Sequence, residues 1–190
     1  VQRRQARRGQ RPRPARLTQM RIAGIEPESI VDGPGVRYAV FAQGCSLHCR
    51  GCQNPASWDP CGGAVMPVAE IMADMRASSL AQGLTLTGGE ASEQAADAAV
   101  LARHAHEIGW DVWCWSGHRF EVLLRRAQAE PDLARLFGEV DVLVDGPFLL
   151  ARRTLALAWR GSDNQRLIDV PASLAAGTAV EWEENSTVES

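Results

Sequence analysis

Cys45, Cys49 and Cys52 stand in a C-x3-C-x2-C spacing inside one short stretch, Gly44 to Asn54. Cysteine thiolates are the usual holders of iron–sulfur clusters, and a cubane offers four irons. Three local thiolates leave one iron without a protein ligand. An open coordination site on a reducible cluster is a place to bind and reduce a small molecule. Two other uses of the cysteines fit the sequence less well. A zinc site wants four ligands, and neither His48 nor Cys61 stands at the usual half-site spacing from the triad. A disulfide framework fits poorly with five cysteines, an odd number, and with a sequence in which no signal peptide is visible.

Other residues with chemical potential fall into short glycine-rich groups. Thr87-Gly88-Gly89-Glu90, Trp115-Ser116-Gly117 and Asp145-Gly146-Pro147-Phe148 each follow an apolar, strand-like run. Residues without Cβ let a ligand approach the backbone, whose carbonyls accept hydrogen bonds from an ammonium group. Glu90 adds negative charge that stabilises either the turn or a cationic ligand; an ordinary strand-to-helix turn is the alternative. His48 is read either as tuning the cluster or as a solvated loop histidine. His104 and His106 lie two apart on a helix and do not share a face. His118 is expected at the surface, Cys61 as a spare thiol, and Cys114 as a small buried apolar residue. Trp113 and Trp115 flank Cys114 on the opposite strand face, where core packing is expected, with a ligand contact by Trp115 as the alternative. No Ser-His-Asp arrangement or paired-carboxylate site is apparent, so no acid–base catalytic residue is assigned.

These groups need elements to position them. Met20 to Glu26 reads as a strand, Ser29 to Gly35 as a turn, and Val36 to Ala42 as a β-branched and aromatic strand running into the cysteine loop. Pro67 to Ala81 reads as a helix closed by Gly83, with Pro67 at its first position. Leu84 to Thr87 is a strand, and Glu93 to Ile108 a helix capped by Ser92 and ended by Gly109. Asp111 to Trp115 is a strand; Phe120 to Ala129 and Asp132 to Phe137 are helical; Val140 to Asp145 is a strand. Arg166 to Val170 is a further strand, Pro171 to Ala176 a short helix, and Thr178 to Trp182 an edge strand. Alternating strands and helices predict an α/β fold with a mostly parallel sheet, open or a partial (βα) barrel, because the units are too few to close eight strands. The cysteine loop and the three glycine groups then gather around one mouth, at the strand ends where such sheets place ligands.

The chain has 190 residues, 45% of them hydrophobic, enough for one domain with a sizeable core. No run approaches a membrane span, and a soluble, cytoplasmic protein is expected. The formal charge of −3 is uneven. Residues 1 to 21 hold eight arginines and no acid, while the rest has twelve arginines against 23 acids and the chain has no lysine. Residues 1–19 are expected to be a disordered arginine-rich extension arising from an over-extended gene start, with Met20 opening the ordered domain. Residues 20–182 form the single domain, and 183–190 an acidic, frayed tail. Direct nucleic-acid binding is not expected.

The cysteine spacing and the Gly-Gly-Glu turn together resemble the radical S-adenosylmethionine (SAM) superfamily. Within it, Asp32-Gly33-Pro34-Gly35-Val36-Arg37, Gln43-Gly44-Cys45 to Asn54-Pro55 with Trp58-Asp59, and Trp113 to Gly117 resemble the activating proteins of anaerobic ribonucleoside-triphosphate reductases. So do Val142 to Phe148 and Trp159 to Arg166. The resemblance implies a radical SAM-type barrel with a [4Fe-4S] cluster on Cys45, Cys49 and Cys52, and SAM on the open iron. It places Gly51, Cys52 and Gln53, and Thr87, Gly88, Gly89 and Glu90, around SAM, although Ala91 stands where the family often has proline. Arg160, Asn164 and Arg166 are either a solvated loop, a docking surface, or a contact to the SAM carboxylate. The implied reaction is reductive cleavage of SAM to a 5′-deoxyadenosyl radical, which takes a hydrogen atom from a glycine of the glycyl-radical reductase subunit. A flavodoxin- or ferredoxin-type protein is the implied electron donor. The alternatives are a radical SAM enzyme for another peptide or small molecule, and a non-catalytic iron–sulfur or zinc protein.

Overall fold

The computed structural model describes residues 18–183. The expected arginine-rich extension and acidic tail therefore lie largely outside the described residues. The first strand begins at Gln19, one residue ahead of Met20. Seven strands and five α-helices follow in the order β1 (Gln19–Ser29), β2 (Arg37–Ala42), β3 (Ala64–Pro67), α1 (Val68–Ala77), β4 (Gly83–Gly88) and α2 (Ala95–Glu107). Then come β5 (Asp111–Ser116), α3 (Phe120–Ala127), α4 (Pro131–Phe137), β6 (Val142–Asp145), β7 (Arg166–Asp169) and α5 (Val170–Ala176). All seven strands form one sheet in the order β3-β1-β2-β4-β5-β6-β7. The four central strands, β2, β4, β5 and β6, are parallel. The flanking pairs are antiparallel, so the sheet is mixed and parallel only at its centre.

The two faces of the sheet differ. Tyr38, Val40, Leu84, Leu86, Val112, Cys114, Leu143 and Ile168 point to one face and pack with buried residues of all five helices into the main core. Residues one step out of phase point the other way, as the two-residue period of a strand requires. On that second face Trp113, Val142, Val144 and Leu167 pack with Trp115, Trp159 and Trp182. Phe41, Thr85 and Thr87 share it, through the registers Phe41 to Thr87 and Thr85 to Trp113. The helices thus cover one side and leave the other for a cavity.

Five local expectations are corrected. β3 was not foreseen: four residues ending in proline are too few to show a period, and Pro67 is tolerated because β3 is an edge strand paired only with β1. The helix begins at Val68 and ends at Ala77 rather than at Ala81. Gly83 does not close it but opens β4, where a Cβ would collide with the Arg37 guanidinium and the Asp111 carboxylate. Ser92 does not cap a helix at Glu93: residues Ala91–Gln94 form a 3-10 turn capped by the Glu90 side chain. Thr178 to Trp182 makes an isolated bridge, Ile168 to Glu181, and not a strand.

Arg37 explains the Asp32-to-Arg37 motif. Its side chain is buried in the sheet. It donates to Asp111 Oδ1 at 2.6 Å, to Leu84 O at 2.7 Å and to Thr85 Oγ1 at 3.2 Å, and lies 6.0 Å from the Trp113 ring centroid. Thr85 Oγ1 in turn donates to Asp32 O at 2.6 Å and fastens the turn before β2. Burial lowers the affinity of Arg37 for its proton, and the Asp111 carboxylate offsets this. Arg37→Met should lower unfolding stability in urea by about 1–3 kcal/mol, the cost of orphaning buried hydrogen-bond groups. Asp111→Asn should cost less, because that side chain is 43% exposed; the opposite order would show that Arg37 does not hold this end of the sheet.

Candidate metal centre and ligand cavity

The cysteine loop is built by backbone hydrogen bonds that fold it back on itself. It leaves β2 at Gln43, whose buried side chain donates to Ala56 O at 3.0 Å and Asp59 O at 2.6 Å. Gly44 N donates to Ser57 O at 2.8 Å and Cys45 N to Trp58 O at 3.1 Å. Between these limbs the chain turns tightly, with Cys52 N donating to Cys49 O at 3.0 Å. Gly51 has φ +78°, and His48 is held at φ +46° with its ring 5.1 Å from that of Trp58. Asn54 N points at Cys52 Sγ, 3.3 Å away. From outside, Glu93 accepts from Ser46 N and Oγ, and Gln94 donates to Gln43 O at 2.9 Å. The motif residues around the cysteines are therefore the ones that shape the loop.

The four groups read from the sequence meet at one cavity of about 560 Å³. It is lined by Cys45, Cys49 and Cys52, by Gln53, by Thr87 to Glu90, by Trp115 to Gly117, and by Gly146 and Phe148. These follow or end β2, β4, β5 and β6, whose parallel pairing brings their C-terminal ends to the same edge. Gly51 is not on the wall. A Cβ there would sit 3.0 Å from Leu150 Cδ1, so this glycine faces a neighbouring loop.

The Gly-Gly-Glu turn has a structural reason of its own. Gly88 has φ +93°, and a Cβ would lie 2.6 Å from Phe41 Cα. A Cβ on Gly89 would collide with the Gly44 carbonyl. Gly89 N donates to Ala42 O at 2.7 Å and Glu90 N to Gly44 O at 2.8 Å, so the end of β4 lies directly against the start of the cysteine loop. The Glu90 carboxylate is buried and fully engaged. It accepts from Ser92 N at 3.2 Å, Ser116 Oγ at 3.0 Å and Gly117 N at 2.9 Å, which ties the end of β4 to the end of β5.

Several wall residues were not read as site residues. Phe41 carried a signal, since its parity in β2 turns it away from the helices. Trp58 and Trp159 carry a signal only as members of the family motif blocks. Val31, Leu155, Leu157 and Trp159 also line the cavity, from segments with no periodic pattern. Of the block Arg160, Asn164 and Arg166, only Arg160 reaches the wall. Asn164 donates to Pro147 O at 2.8 Å, and Arg166 pairs with Asp145 and Glu121, so both brace the end of β6. Trp115 lines the cavity while its Nε1 donates to Trp159 O at 3.1 Å. His104 sits between Arg76 and Glu107, and His106 beside Glu139 and Asp141. Neither lines the cavity.

The donor set fits an iron–sulfur group. Three soft thiol donors line one wall, and the two other cysteines are elsewhere: Cys61 is exposed and Cys114 is buried under the helices. Among the described residues no three His, Cys, Asp or Glu side chains converge on a single-ion site, whereas a multi-iron cubane spaces its thiolates widely. Burial pushes the Cys45 thiol up, and the Glu90 and Glu93 carboxylates add to this against hydrogen bonds from Leu47 and His48 N–H.

Comparison with known proteins gives the same region a name. A family described as "4Fe-4S single cluster domain" matches residues 31–168. The anaerobic ribonucleoside-triphosphate reductase-activating protein of Pasteurella multocida is 36% identical over 147 residues, covering 73% of this chain and 90% of the relative. The proteins of the same name from Enterobacteria phage T4 and Escherichia coli K12 are 35% identical over 152 residues and 33% over 149, covering 75% and 73% of this chain and 90% and 92% of the relatives. With the three thiols, the cavity and the surrounding motif residues falling inside the matched span, the chain belongs to the family of anaerobic ribonucleoside-triphosphate reductase-activating proteins, built on a 4Fe-4S single cluster domain.

Proposed function

We propose that the protein is a radical SAM activase that generates a glycyl radical on an anaerobic ribonucleotide reductase. The observation that carries this reading is the cavity wall: among the described residues three thiols line it and no fourth does, at the edge where four parallel strands end. The bound cluster and SAM supply one-electron reductive cleavage of the sulfonium and removal of a hydrogen atom from a glycine Cα of the partner. The chain's own residues hold and enclose. Cys45, Cys49 and Cys52 hold the cluster. Thr87, Gly88 and Gly89 offer backbone to the SAM ammonium, Cys52 and Gln53 offer it further contact, and Gly51 supplies the turn that presents them. Glu90 fixes the relative position of two strand ends. The fold is a partial barrel of radical SAM type, supported by helices confined to one face and a cavity on the other. Val31 and Leu155, 72% and 88% exposed, stand where the cavity opens and suit a macromolecular substrate.

No helix among the described residues is long and apolar enough to cross a membrane, and the reaction belongs in the reducing cytoplasm. A flavodoxin- or ferredoxin-type protein is the electron donor this reading requires.

Anaerobically reconstituted protein under dithionite should convert SAM to 5′-deoxyadenosine, and Cys49→Ala should abolish the product. Intact SAM with the cluster-loaded wild type would discard the enzymatic reading. Co-expressed reductase should show the glycyl-radical signal by electron paramagnetic resonance. Glu90→Ala should weaken SAM binding roughly tenfold, since hydrogen bonds to a charged group are worth about 1.5–3 kcal/mol and about 1.4 kcal/mol is tenfold. Glu90→Gln, whose amide oxygen still accepts, should recover most of it; equal loss in both would remove Glu90 from its positioning role.

A further inference from the structure

The cysteine loop has an outer side that takes no part in the cavity. Cys49 and Cys52 line the cavity, but Arg50 and Gly51 between them do not. Cys52 N donates to Cys49 O at 3.0 Å, so these two residues form the apex of a tight turn, and both are exposed. The Leu150 side chain packs over that apex: a Cβ on Gly51 would lie 3.0 Å from its Cδ1. Leu149 and Leu150 are 40% and 46% exposed, and neither lines the cavity. Arg152 ends the 3-10 turn Leu150–Arg152, also exposed and also off the cavity wall. An apolar pair accompanied by arginines therefore lies behind the turn that carries two of the three thiols.

The patch is basic in a chain that is otherwise acidic. Residues 44–54 and 146–162 hold Arg50, Arg152, Arg153 and Arg160 and no acid, whereas the chain beyond residue 21 has twelve arginines against 23 acids. Asp163 pairs with Arg152 and offsets part of that charge. Arg50 and Arg153 make no ion pair among the described residues. Opposite charge across an interface speeds and orients encounter. Electron-transfer encounters need little area, less than about 1,200 Å² of buried surface. In the functional reading above, SAM and the partner's glycine fill the cavity and its mouth, so the outer side of the turn is the free approach to the cluster. We propose that Arg50, Leu149, Leu150 and Arg152 form the docking surface for an acidic one-electron donor protein of flavodoxin or ferredoxin class. This rests on the cluster reading and goes beyond it by giving the donor a surface and a charge. The donor loses one electron and the cluster gains it; no bond forms or breaks in that step.

The test is anaerobic stopped-flow reduction of the reconstituted cluster by an acidic flavodoxin held as its hydroquinone. Photoreduced deazaflavin serves as a small donor that needs no docking surface. Flavodoxin should reduce the wild-type cluster at a rate that falls as salt is raised. Arg152→Glu, outside the cysteine loop, should slow that rate several-fold, and Arg50→Glu combined with it roughly tenfold, the scale of electrostatic steering. The deazaflavin rates should not change. Unchanged flavodoxin rates overturn the proposal, and so does equal slowing with both donors, which places the effect in the cluster. A wild-type rate indifferent to salt overturns it, as does a cluster that deazaflavin reduces and flavodoxin does not. Should the variants fail to take up iron, hydrogen–deuterium exchange of loaded wild type with excess reduced flavodoxin decides. Protection of residues 50–52 and 149–153 supports the surface, and protection confined to the cavity mouth overturns it. Protection of those residues by the reductase and not by flavodoxin gives the surface to the reductase and also overturns it. Protein that takes up no cluster under any anaerobic reconstitution fails the functional reading itself, a separate result visible before any donor is added.

Discussion

The site depends on one close approach of backbone to backbone. The end of β4 presses against the end of β2 and the first residues of the cysteine loop. It does so through Gly89 N to Ala42 O and Glu90 N to Gly44 O, at 2.7 and 2.8 Å. Side chains at Gly88 and Gly89 would occupy that contact. With the contact in place, Glu90 reaches Ser116 and Gly117 and joins a third strand end to the first two. The position of the cysteines is therefore set by the sheet, through ladder-like bonds that continue past the strands. A loop anchored this way needs no regular structure of its own, which accounts for eleven motif residues with barely a helical turn among them.

The sheet makes the cavity possible by covering its faces unequally. All five helices contribute their apolar residues to one core. The other face carries Arg37, Thr85 and Thr87 beside the tryptophans. A buried arginine in a sheet is costly unless its donors are matched. Here Asp111, Leu84 O and Thr85 match them, and the absence of a side chain at Gly83 makes room. Polar residues on an otherwise apolar sheet face mark the side that is kept for a ligand, and the arginine anchors the end of that face remote from the thiols.

Much of this was legible in the sequence, and the parts that were not have physical causes. Cysteine spacing and strand-like runs ending in glycine are local patterns, so the triad and the gathering of four strand ends could be read. What failed were positions whose role is set by a specific partner, near or far, or segments too short to show a period. Gly83 looked like a helix stop because its partner, Arg37, lies 46 residues earlier in the sequence. Ser92 looked like a cap, but the Glu90 carboxylate two residues before it does the capping. The Gly-Gly-Glu turn was read as room for a ligand, while much of the room is filled by Gly44 and Phe41. β3 is too short to carry a period, and the segment around Leu155 and Trp159 has none.

The electrostatics of the thiol wall point the same way as its geometry. Cys45 is partly desolvated and sits near two carboxylates, Glu90 and Glu93, and each of these influences opposes ionisation. Such surroundings suit neither a nucleophilic thiolate, which is activated by positive charge, nor a solvent-exposed spare thiol. They fit a metal ligand better, because a bound metal supplies the positive charge that these surroundings lack. The two carboxylates are kept for structural reasons, Glu93 on Ser46 and Glu90 on the strand ends. The loop is thus held in shape by carboxylates that stand close to the Cys45 thiol.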